Sequence, residues 1–482
     1  PVGHLIIINT FPYAVRKRRP NPLLERVRVE DTAAEGKALA RVGGKVVFVP
    51  FAVPGDLVDI QVTKTRKSYM EGFVKQFHEY SPIREEPFCS HFGFCGGCQW
   101  QMLPYAEQLR YKQQQVVDQL TRIGKVQLPE VNPIIGSENT RYYRNKLEFT
   151  FSNRRWITEQ ELKSGQVIGP QPVLGFHVPG KFDKVFEVQQ CFLQPNPSDA
   201  IRLETARYAI EKGYPFYDLR SQQEFLRNLT IRTSLSGEVM VILSVGYADM
   251  HGIGDILDHL KKKFPQITSL MYVVNPKPND ALGDLEVVCY GGNGYITEEM
   301  EGLKFRVGPK SFFQTNSLQA YQLYKVVREY AALTGSELVY DLYTGIGTIA
   351  GFIAGSCSRV VGIDYVAEAI EDANGNTQIN GIDNVNFFTG DVKELLSDDF
   401  LSRHGKPDVI ILDPPRAGVH PKVISALIDA NPCRIVYVSC NPATQARDIN
   451  LLSTHFELTR IQPVDMFPHT HHVENVVLME RK

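Results

Sequence analysis

Leu338-Val339-Tyr340-Asp341-Leu342-Tyr343-Thr344-Gly345-Ile346-Gly347-Thr348 is the stretch whose reading decides the fold. A short apolar run reads as a buried strand. The two glycines that follow let the backbone turn tightly and approach a ligand at the carboxyl edge of a sheet. The third glycine of the dinucleotide fingerprint is absent, so the loop alone does not name its ligand. Further strand-like runs recur at Arg359–Asp364, Val385–Phe388, Asp408–Asp413, Ile435–Ser439 and Val476–Met479, with helical stretches between most of them. Several are almost wholly apolar, as strands covered on both faces should be. Upstream, Leu323, Val326, Val327 and Tyr330 fall at helical spacing. From about residue 309 onward the pattern predicts a doubly wound, Rossmann-like α/β domain.

Acidic residues close successive strands of this domain. Asp364 stands 19 residues after Gly345, where a carboxylate can accept ribose hydroxyls, and Asp391 and Asp413 end the third and fourth strand regions. Ligands of open α/β sheets bind at those ends, so Asp341, Asp364, Asp391 and Asp413 are predicted to face one cleft; each by itself also reads as an ordinary loop carboxylate. Four carboxylates repel a pyrophosphate and suit a nucleoside-bearing cation. S-adenosylmethionine, with its sulfonium, fits better than NAD.

Cys440 closes the strand that precedes Asn441-Pro442, on the same predicted edge. A cysteine ending an apolar strand is usually core packing; its place beside Asp413-Pro414-Pro415 makes it a candidate nucleophile. Glu474, in His469-Thr470-His471-His472-Val473-Glu474, is the second candidate. The three histidines invite a metal reading, but no clear further ligand set accompanies them. Methyl transfer to a pyrimidine carbon needs both a thiol and a carboxylate. C5 of uracil is too weak a nucleophile until a thiolate adds to C6, and the C5 proton must later leave to a positioned base.

Toward the N-terminus, residues 24–82 hold short β-branched runs broken by Gly43-Gly44, Pro50 and Pro54-Gly55, the pattern of a small closed barrel of the oligonucleotide-binding kind. Residues 1–82 carry 13 Lys and Arg against 8 Asp and Glu, while the whole chain has a formal charge of −2. A basic head on an acidic body suggests a polyanionic partner. Lys64, Arg66 and Lys67 beside Tyr69 suit phosphate and base contacts, or else form a solvated basic loop. Cys89, Cys95 and Cys98 crowd into a spacing that favours a metal over disulfides. Leu109, Val116, Leu120 and Ile123 predict one helix, with Gly124 just past its end. Residues 130–300 read as mixed and mostly strand. Within them Arg141-Tyr142-Tyr143-Arg144-Asn145-Lys146 reads as a nucleic-acid groove or as one strand with a packed and a charged face. Hydrophobic residues make up 43% and charged residues 22% of 482, which excludes a largely disordered chain, and no apolar run is long enough to span a membrane. Residues 1–23 are expected to form a disordered tail: Leu5–Ile8 is too short for a signal peptide, and Arg16–Arg19 follows it. Eight cysteines in such a chain indicate a reducing, cytoplasmic setting.

Phe312-Phe313-Gln314-Thr315-Asn316, the Asp341–Thr348 loop, Asp413–Arg416, Ser439-Cys440-Asn441-Pro442 and His472-Val473-Glu474 occur in the order of the uracil-5 RNA methyltransferase family, which the chain resembles. The resemblance implies Cys440 as nucleophile, Glu474 as base, and an S-adenosylmethionine pocket lined by Gln314, Tyr343, Thr348, Asp364, Asp391 and Asp413. The family often shows Phe-Cys where this chain has Tyr343-Thr344, and Asn in place of Thr348. Residues 24–82 are similar to its RNA-binding TRAM domain. Cys89, Cys95, Cys98 and distant Cys191 resemble its [4Fe–4S] site, although the spacing alone suits structural zinc as well. The spacing is not that of radical S-adenosylmethionine enzymes. The resemblance thus implies a barrel over 24–82, a mixed iron–sulfur domain over 83–308 whose helix near 103–124 packs on the catalytic part, and a methyltransferase domain over 309–482. It points to 23S ribosomal RNA as substrate, with no DNA or membrane partner and a monomeric chain. Competing readings are a tRNA uracil-5 methyltransferase, an N-methyltransferase using Asp-Pro-Pro, and an iron–sulfur RNA-binding or assembly factor with a vestigial methylase fold.

Overall fold

The computed structural model describes residues 21–165, 169 and 171–482. The expected tail, with its Leu5–Ile8 run and Arg16–Arg19 cluster, lies almost wholly outside them. Those four cations supply most of the basic surplus noted above, so within residues 21–82 basic and acidic side chains nearly balance. Among the described residues no helix is long and apolar enough to cross a membrane. Chain contacts divide the protein into two units, one of residues up to Arg84 without 34–36, the other of 34–36 with Glu85–Lys482.

The first unit is a six-stranded sheet: β1 (Leu23–Arg28), β2 (Asp31–Thr32), β3 (Ala38–Val42), β4 (Lys45–Val49), β5 (Leu57–Thr65) and β6 (Tyr69–Glu79). The order is β1-β5-β6-β4-β3-β2. Since β1 and β2 are nearly continuous in the chain, they join the two ends of this order and close it as a barrel. Gly43 and Gly44 both take positive φ in the β3–β4 hairpin, the geometry a two-residue turn demands. Valines, alanines and Ile60 fill the interior. Asp56, fully buried, accepts the Val53 and Ser81 amides and pairs with Arg84 at 2.6 Å. Lys64 is engaged with Glu71 at 2.7 Å and stands 5.9 Å from the Tyr69 ring, whereas Arg66 and Lys67 are exposed.

The second unit holds two seven-stranded sheets. The central one comprises β7 (Lys146–Ser152), β8 (Val173–His177), β9 (Val185–Glu187), β10 (Leu226–Thr233), β11 (Val239–Val245), β12 (Ile267–Val274) and β13 (Val287–Gly292), in the order β13-β12-β11-β10-β7-β8-β9. Only β11 and β12 run parallel. The helices in this stretch of chain are α1 (Tyr105–Gln119), α2 (Glu159–Lys163), α3 (Ser198–Lys212) and α4 (Met250–Lys263), the last joining β11 to β12. A hairpin follows, β14 (Ile296–Met300) and β15 (Leu303–Val307).

The second sheet contains β16 (Leu338–Leu342), β17 (Arg359–Asp364), β18 (Val385–Thr389), β19 (Val409–Leu412), β20 (Arg434–Ser439), β21 (Phe456–Val464) and β22 (Glu474–Arg481). Its helices are α5 (Ser317–Ala331), α6 (Thr348–Ile353), α7 (Ala367–Ile379), α8 (Val392–Leu395), α9 (Asp398–His404), α10 (Pro421–Ala430) and α11 (Pro442–Leu452). The order is β18-β17-β16-β19-β20-β22-β21, parallel except at β22, which runs antiparallel between β20 and β21. This is the predicted doubly wound sheet, with one strand, β21, that the apolar runs did not reveal. Met240, Ile242, Met271 and Val273 of the central sheet share a core with Val339, Val409 and Val438 of this one.

Three local expectations are corrected. Residues 141–145 are irregular rather than strand, which begins only at Lys146. There Arg141 stacks on Phe88 at 3.9 Å and the Tyr143 hydroxyl donates to the Pro468 carbonyl. Val116 of α1 and Leu120 just past its end share a core with the second sheet, but Ile123 is exposed. The left-handed residue past its end is Lys125, beyond a wide turn over 120–124, and not Gly124.

The buried face of α1 carries a charge. Lys112 is fully buried and bonds Asp465 at 2.5 Å and the Phe467 carbonyl at 3.0 Å. Tyr105 donates to the other Asp465 oxygen at 2.7 Å. Removing one partner of such a pair strands the other charge in the interior. Lys112→Met should therefore cost about 3–5 kcal/mol in denaturant titration. The doubly neutralised Lys112→Met/Asp465→Leu protein should lose much less than the sum of the two single changes.

Candidate active site

The sheet order reverses between β16 and β19, and there the carboxyl ends of the strands open a cleft. The loop after β16 is held to β17. Tyr343 and Thr344 donate their amides to the Ile363 carbonyl, and Gly345 donates to the Asp364 carboxylate at 2.9 Å. Tyr343 itself takes φ +66°, and Gly347, at φ +75°, sits just before α6. A methyl group on Gly347 would meet the Phe387 ring at 2.7 Å, whereas one on Gly345 would meet open space. Thr348 is buried in the first turn of α6. The second Asp364 oxygen accepts from Val366 at 3.0 Å.

Desolvation dominates the chemistry of this cleft. Burial pushes Asp341 and Asp413 up to about 7, each raised further by a neighbouring carboxylate, Asp364 and Asp341 respectively. Asp341 has one oxygen engaged by Thr344 and Ala350, while the other is buried without a partner. Asp391 is held differently. It is exposed, caps α8 and pairs with Lys393 at 2.8 Å, which keeps its carboxyl low. Gln314 is buried, and its carbonyl accepts from Asn145 at 3.0 Å.

Register brings the two remaining candidates together. β20 and β22 pair antiparallel with Ser439 opposite Asn475, so Cys440 and Glu474 are the next opposed positions, beyond the end of β20. A slip of one residue would turn both away, and Asn475 and Gln445 guard against it by exchanging buried hydrogen bonds beneath the pair. Burial, with Asp413 adding to it, pushes Glu474 up to about 8. Burial and the Glu474 charge push the Cys440 thiol up to about 11. Arg416 opposes both shifts. Its backbone carbonyl is fixed by Asn441 at 3.1 Å and Thr444 at 3.2 Å, so the guanidinium is carried to the nucleophile by α11.

The segment leading to Glu474 is anchored from α1. Gln99 and Trp100 donate their amides to the His469 carbonyl at 2.8 and 3.0 Å, Gln108 accepts from the His469 amide, and Gln99 Oε1 meets His471 Nδ1 at 2.5 Å. Burial lowers His469 and His471 to about 4 and His472 to about 3, so all three are neutral near pH 7.

The family described as tRNA (Uracil-5-)-methyltransferase matches residues 294–482, and the TRAM domain matches 25–75. An uncharacterized RNA methyltransferase of Bacteroides thetaiotaomicron is 55% identical over 93% of this chain and 99% of its own. The chain belongs to the uracil-5 RNA methyltransferase family. A second RNA methyltransferase, from Chlorobaculum tepidum, is 38% identical over 94% of this chain and 95% of its own. Among solved structures, the Pyrococcus abyssi tRNA (uracil-54, C5)-methyltransferase in complex with S-adenosyl-L-homocysteine matches with TM-score 0.72 and 28% identity. It covers 94% of this chain and 99% of that one.

The methyltransferase also gathers its four expected cysteines. Cys89, Cys95, Cys98 and Cys191 line one pocket, together with His91. Gly97 donates to the Cys95 sulfur at 3.4 Å, and a methyl group on Gly96 would collide with the His177 carbonyl at 2.8 Å, so the loop is cut close to its surroundings. The sulfurs are not closed into a ligand set: among the described residues no three His, Cys, Asp or Glu side chains stand in metal-holding geometry. The four expected ligands thus share a pocket, but among the described residues they form no metal-holding group.

Sequence reasoning missed Arg416, although it closes the Asp413–Arg416 motif, and Lys112, whose only signal is a charge on an otherwise packed helical face. If Arg416 lowers the thiol as its position requires, Arg416→Gln should raise the Cys440 pKa further. Alkylation of Cys440 near pH 8, followed by peptide mass mapping, should then slow in the variant. An unchanged rate would remove Arg416 from the site's electrostatics.

Proposed function

We propose that this methyltransferase moves a methyl group from S-adenosylmethionine to C5 of a uridine in RNA, through a covalent bond between Cys440 and C6 of the base. The observation that carries the reading is the register of β20 and β22, which opposes a half-buried thiol and a buried carboxyl at the carboxyl edge of the sheet. S-adenosylmethionine supplies an electrophilic methyl group, and its positive charge suits a cleft whose buried carboxyls Asp341 and Asp413 are starved of counter-charge. Asp364 would hold the ribose. Gln314, Tyr343, Thr348, Asp391 and Asp413 complete the binding set.

Thiolate addition to C6 pushes electrons to C5 and O4, making C5 nucleophilic. After methyl transfer Glu474 takes the C5 proton, and the C–S bond breaks to restore the uracil ring and free Cys440. The target base must leave its stack to reach the cleft. Residues 24–82 would contribute RNA affinity, 83–308 the cysteine site, and 309–482 the chemistry, in a monomeric cytoplasmic enzyme.

For the RNA, the sequence resemblance points to 23S ribosomal RNA. Transfer RNA is the second reading, favoured by the match over nearly the whole chain to the archaeal tRNA enzyme, which removes the barrel as a discriminator. Mapping 5-methyluridine in both RNAs from a deletion strain separates the two.

Cys440→Ala should abolish turnover and also abolish the stable adduct formed with 5-fluorouridine RNA. Glu474→Gln should accumulate a covalent RNA complex. Since Glu474 acts after methyl transfer and accepts the C5 proton only when ionised, and burial pushes its carboxyl up to about 8, kcat should rise with pH. That limb belongs to the interacting Asp413–Glu474 pair. It should move to lower pH in Asp413→Asn. A flat profile with full turnover by Glu474→Gln would mean that another base acts.

The four cysteines line one pocket, and if drawn together as thiolates they would suit a [4Fe–4S] cluster. Anaerobically prepared protein should be brown and hold about four irons per chain. Colourless protein containing zinc would defeat this assignment.

A further inference from the structure

The central sheet has a cavity of its own. It measures about 360 Å³, within the range of small-ligand sites, and is formed entirely by residues that the methyl-transfer chemistry does not use. It opens where the parallel strands β11 and β12 end, at Gly246-Tyr247 and Asn275-Pro276. The β11–α4–β12 crossover thus repeats in miniature the rule that α/β units bind ligands at the carboxyl ends of parallel strands.

Its remaining wall is the turn before β10, and that turn is rigid. Gln222 and Glu224 both take left-handed φ, +57° and +90°, unusual for non-glycine residues and found where a surrounding structure imposes it. Asp218 donates to the Gln223 carbonyl and Gln222 to the Asp218 carbonyl. The Glu224 carbonyl lies so close over Gly246 that a methyl group there would sit 2.3 Å from it. The floor is equally fixed. Asn275, fully buried, spends both ends of its amide on Asn279 and Lys277, and buried Tyr217 has the Arg227 guanidinium stacked on it at 4.4 Å.

By contrast, the side chains of Gln222, Gln223, Glu224 and Tyr247 make no hydrogen bond to other described residues. An exposed tyrosine ring offers a stacking face, two amides offer donors and acceptors, and a carboxylate offers a fork of acceptors. No lysine or arginine lines the cavity, so it is not built for phosphate.

We propose that this cavity is a nucleobase-binding subsite that takes one unstacked guanine of the RNA substrate. The ring would stack on Tyr247, with N1–H and N2–H2 donated to the Glu224 carboxylate and the opposite edge read by the glutamine amides. Unpaired RNA bases are recognised in this way, by aromatic stacking plus hydrogen bonds to their edges. The inference needs only that the chain is an RNA methyltransferase, and so stands apart from the covalent mechanism.

The test uses the full chain and short oligouridine RNAs, with and without a single guanosine, titrated by fluorescence anisotropy. The guanosine-bearing RNA should bind about fivefold tighter or better, the usual lower scale of one base stacked on an aromatic ring. Tyr247→Ala and Glu224→Gln should each erase that preference, and Tyr247→Phe should keep it. S-adenosylhomocysteine affinity, measured in parallel, should be the same in all variants, which separates loss of the subsite from loss of the fold. With 6-thioguanosine in the RNA, photo-crosslinks should map to the peptides holding Gln222–Glu224 or Tyr247. Equal affinity for the two RNAs, or a preference that survives both substitutions, overturns the proposal. Free guanosine binding as tightly as the guanosine-bearing RNA would also overturn it, in favour of a nucleoside site.

Discussion

The ion pair between Lys112 and Asp465 is the constraint on which the active site leans. Two unit charges with no exposure to solvent are stable only while each satisfies the other, and here Tyr105, the Phe467 amide and the Phe467 carbonyl complete the set. The pair joins a helix from the cysteine-bearing part of the chain to the segment between β21 and β22. Once that helix is fixed, Gln108 and the amides of Gln99 and Trp100 fall into place around His469, and the backbone arrives at Glu474 in one conformation. Cys98 is the immediate neighbour of Gln99 in the chain. Gln99, one peptide bond from Cys98, thus hydrogen-bonds the catalytic segment directly.

A second theme is the use of dryness to set reactivity. Asp341, Asp413 and Glu474 are carboxyls that water would ionise at once, and burial raises all three into or above the neutral range. The cleft is thus prepared for positive charge on one side and for a proton on the other. Arg416, at the edge, tempers both the thiol and the carboxyl without neutralising them.

How much of this was legible in the sequence depended on whether the signal was local. The doubly wound sheet was legible because its parallel strands are covered on both faces and so read as unbroken apolar runs. β21 escaped because an edge strand carrying Arg460 and Pro463 has no such run. The barrel was legible from its Gly and Pro punctuation, but its charge was misjudged, since most of the surplus belongs to residues 16–19. The irregular path of Arg141–Asn145 follows from long-range bonds, of Tyr142 and Arg144 to the Phe192 and Leu193 carbonyls, that no periodicity announces. Cys440 and Glu474 were legible as strand-end residues. That register sets them face to face is a property of pairing across the sheet and lies beyond any window of sequence. Lys112 is the extreme case, a cation at a core position whose partner is more than 350 residues away.

The place of β22 has a consequence for how the protein is made. This strand follows β20 and β21 in the chain yet lies between them in the sheet. During synthesis, then, the two earlier strands wait with open, largely apolar edges, the condition in which strands pair wrongly with other chains. Cys440 is present through this interval without the carboxylate that opposes it. Insertion of residues 474–481 seals the sheet and delivers Glu474 in the same movement, so chemical competence and the loss of the sticky intermediate arrive together.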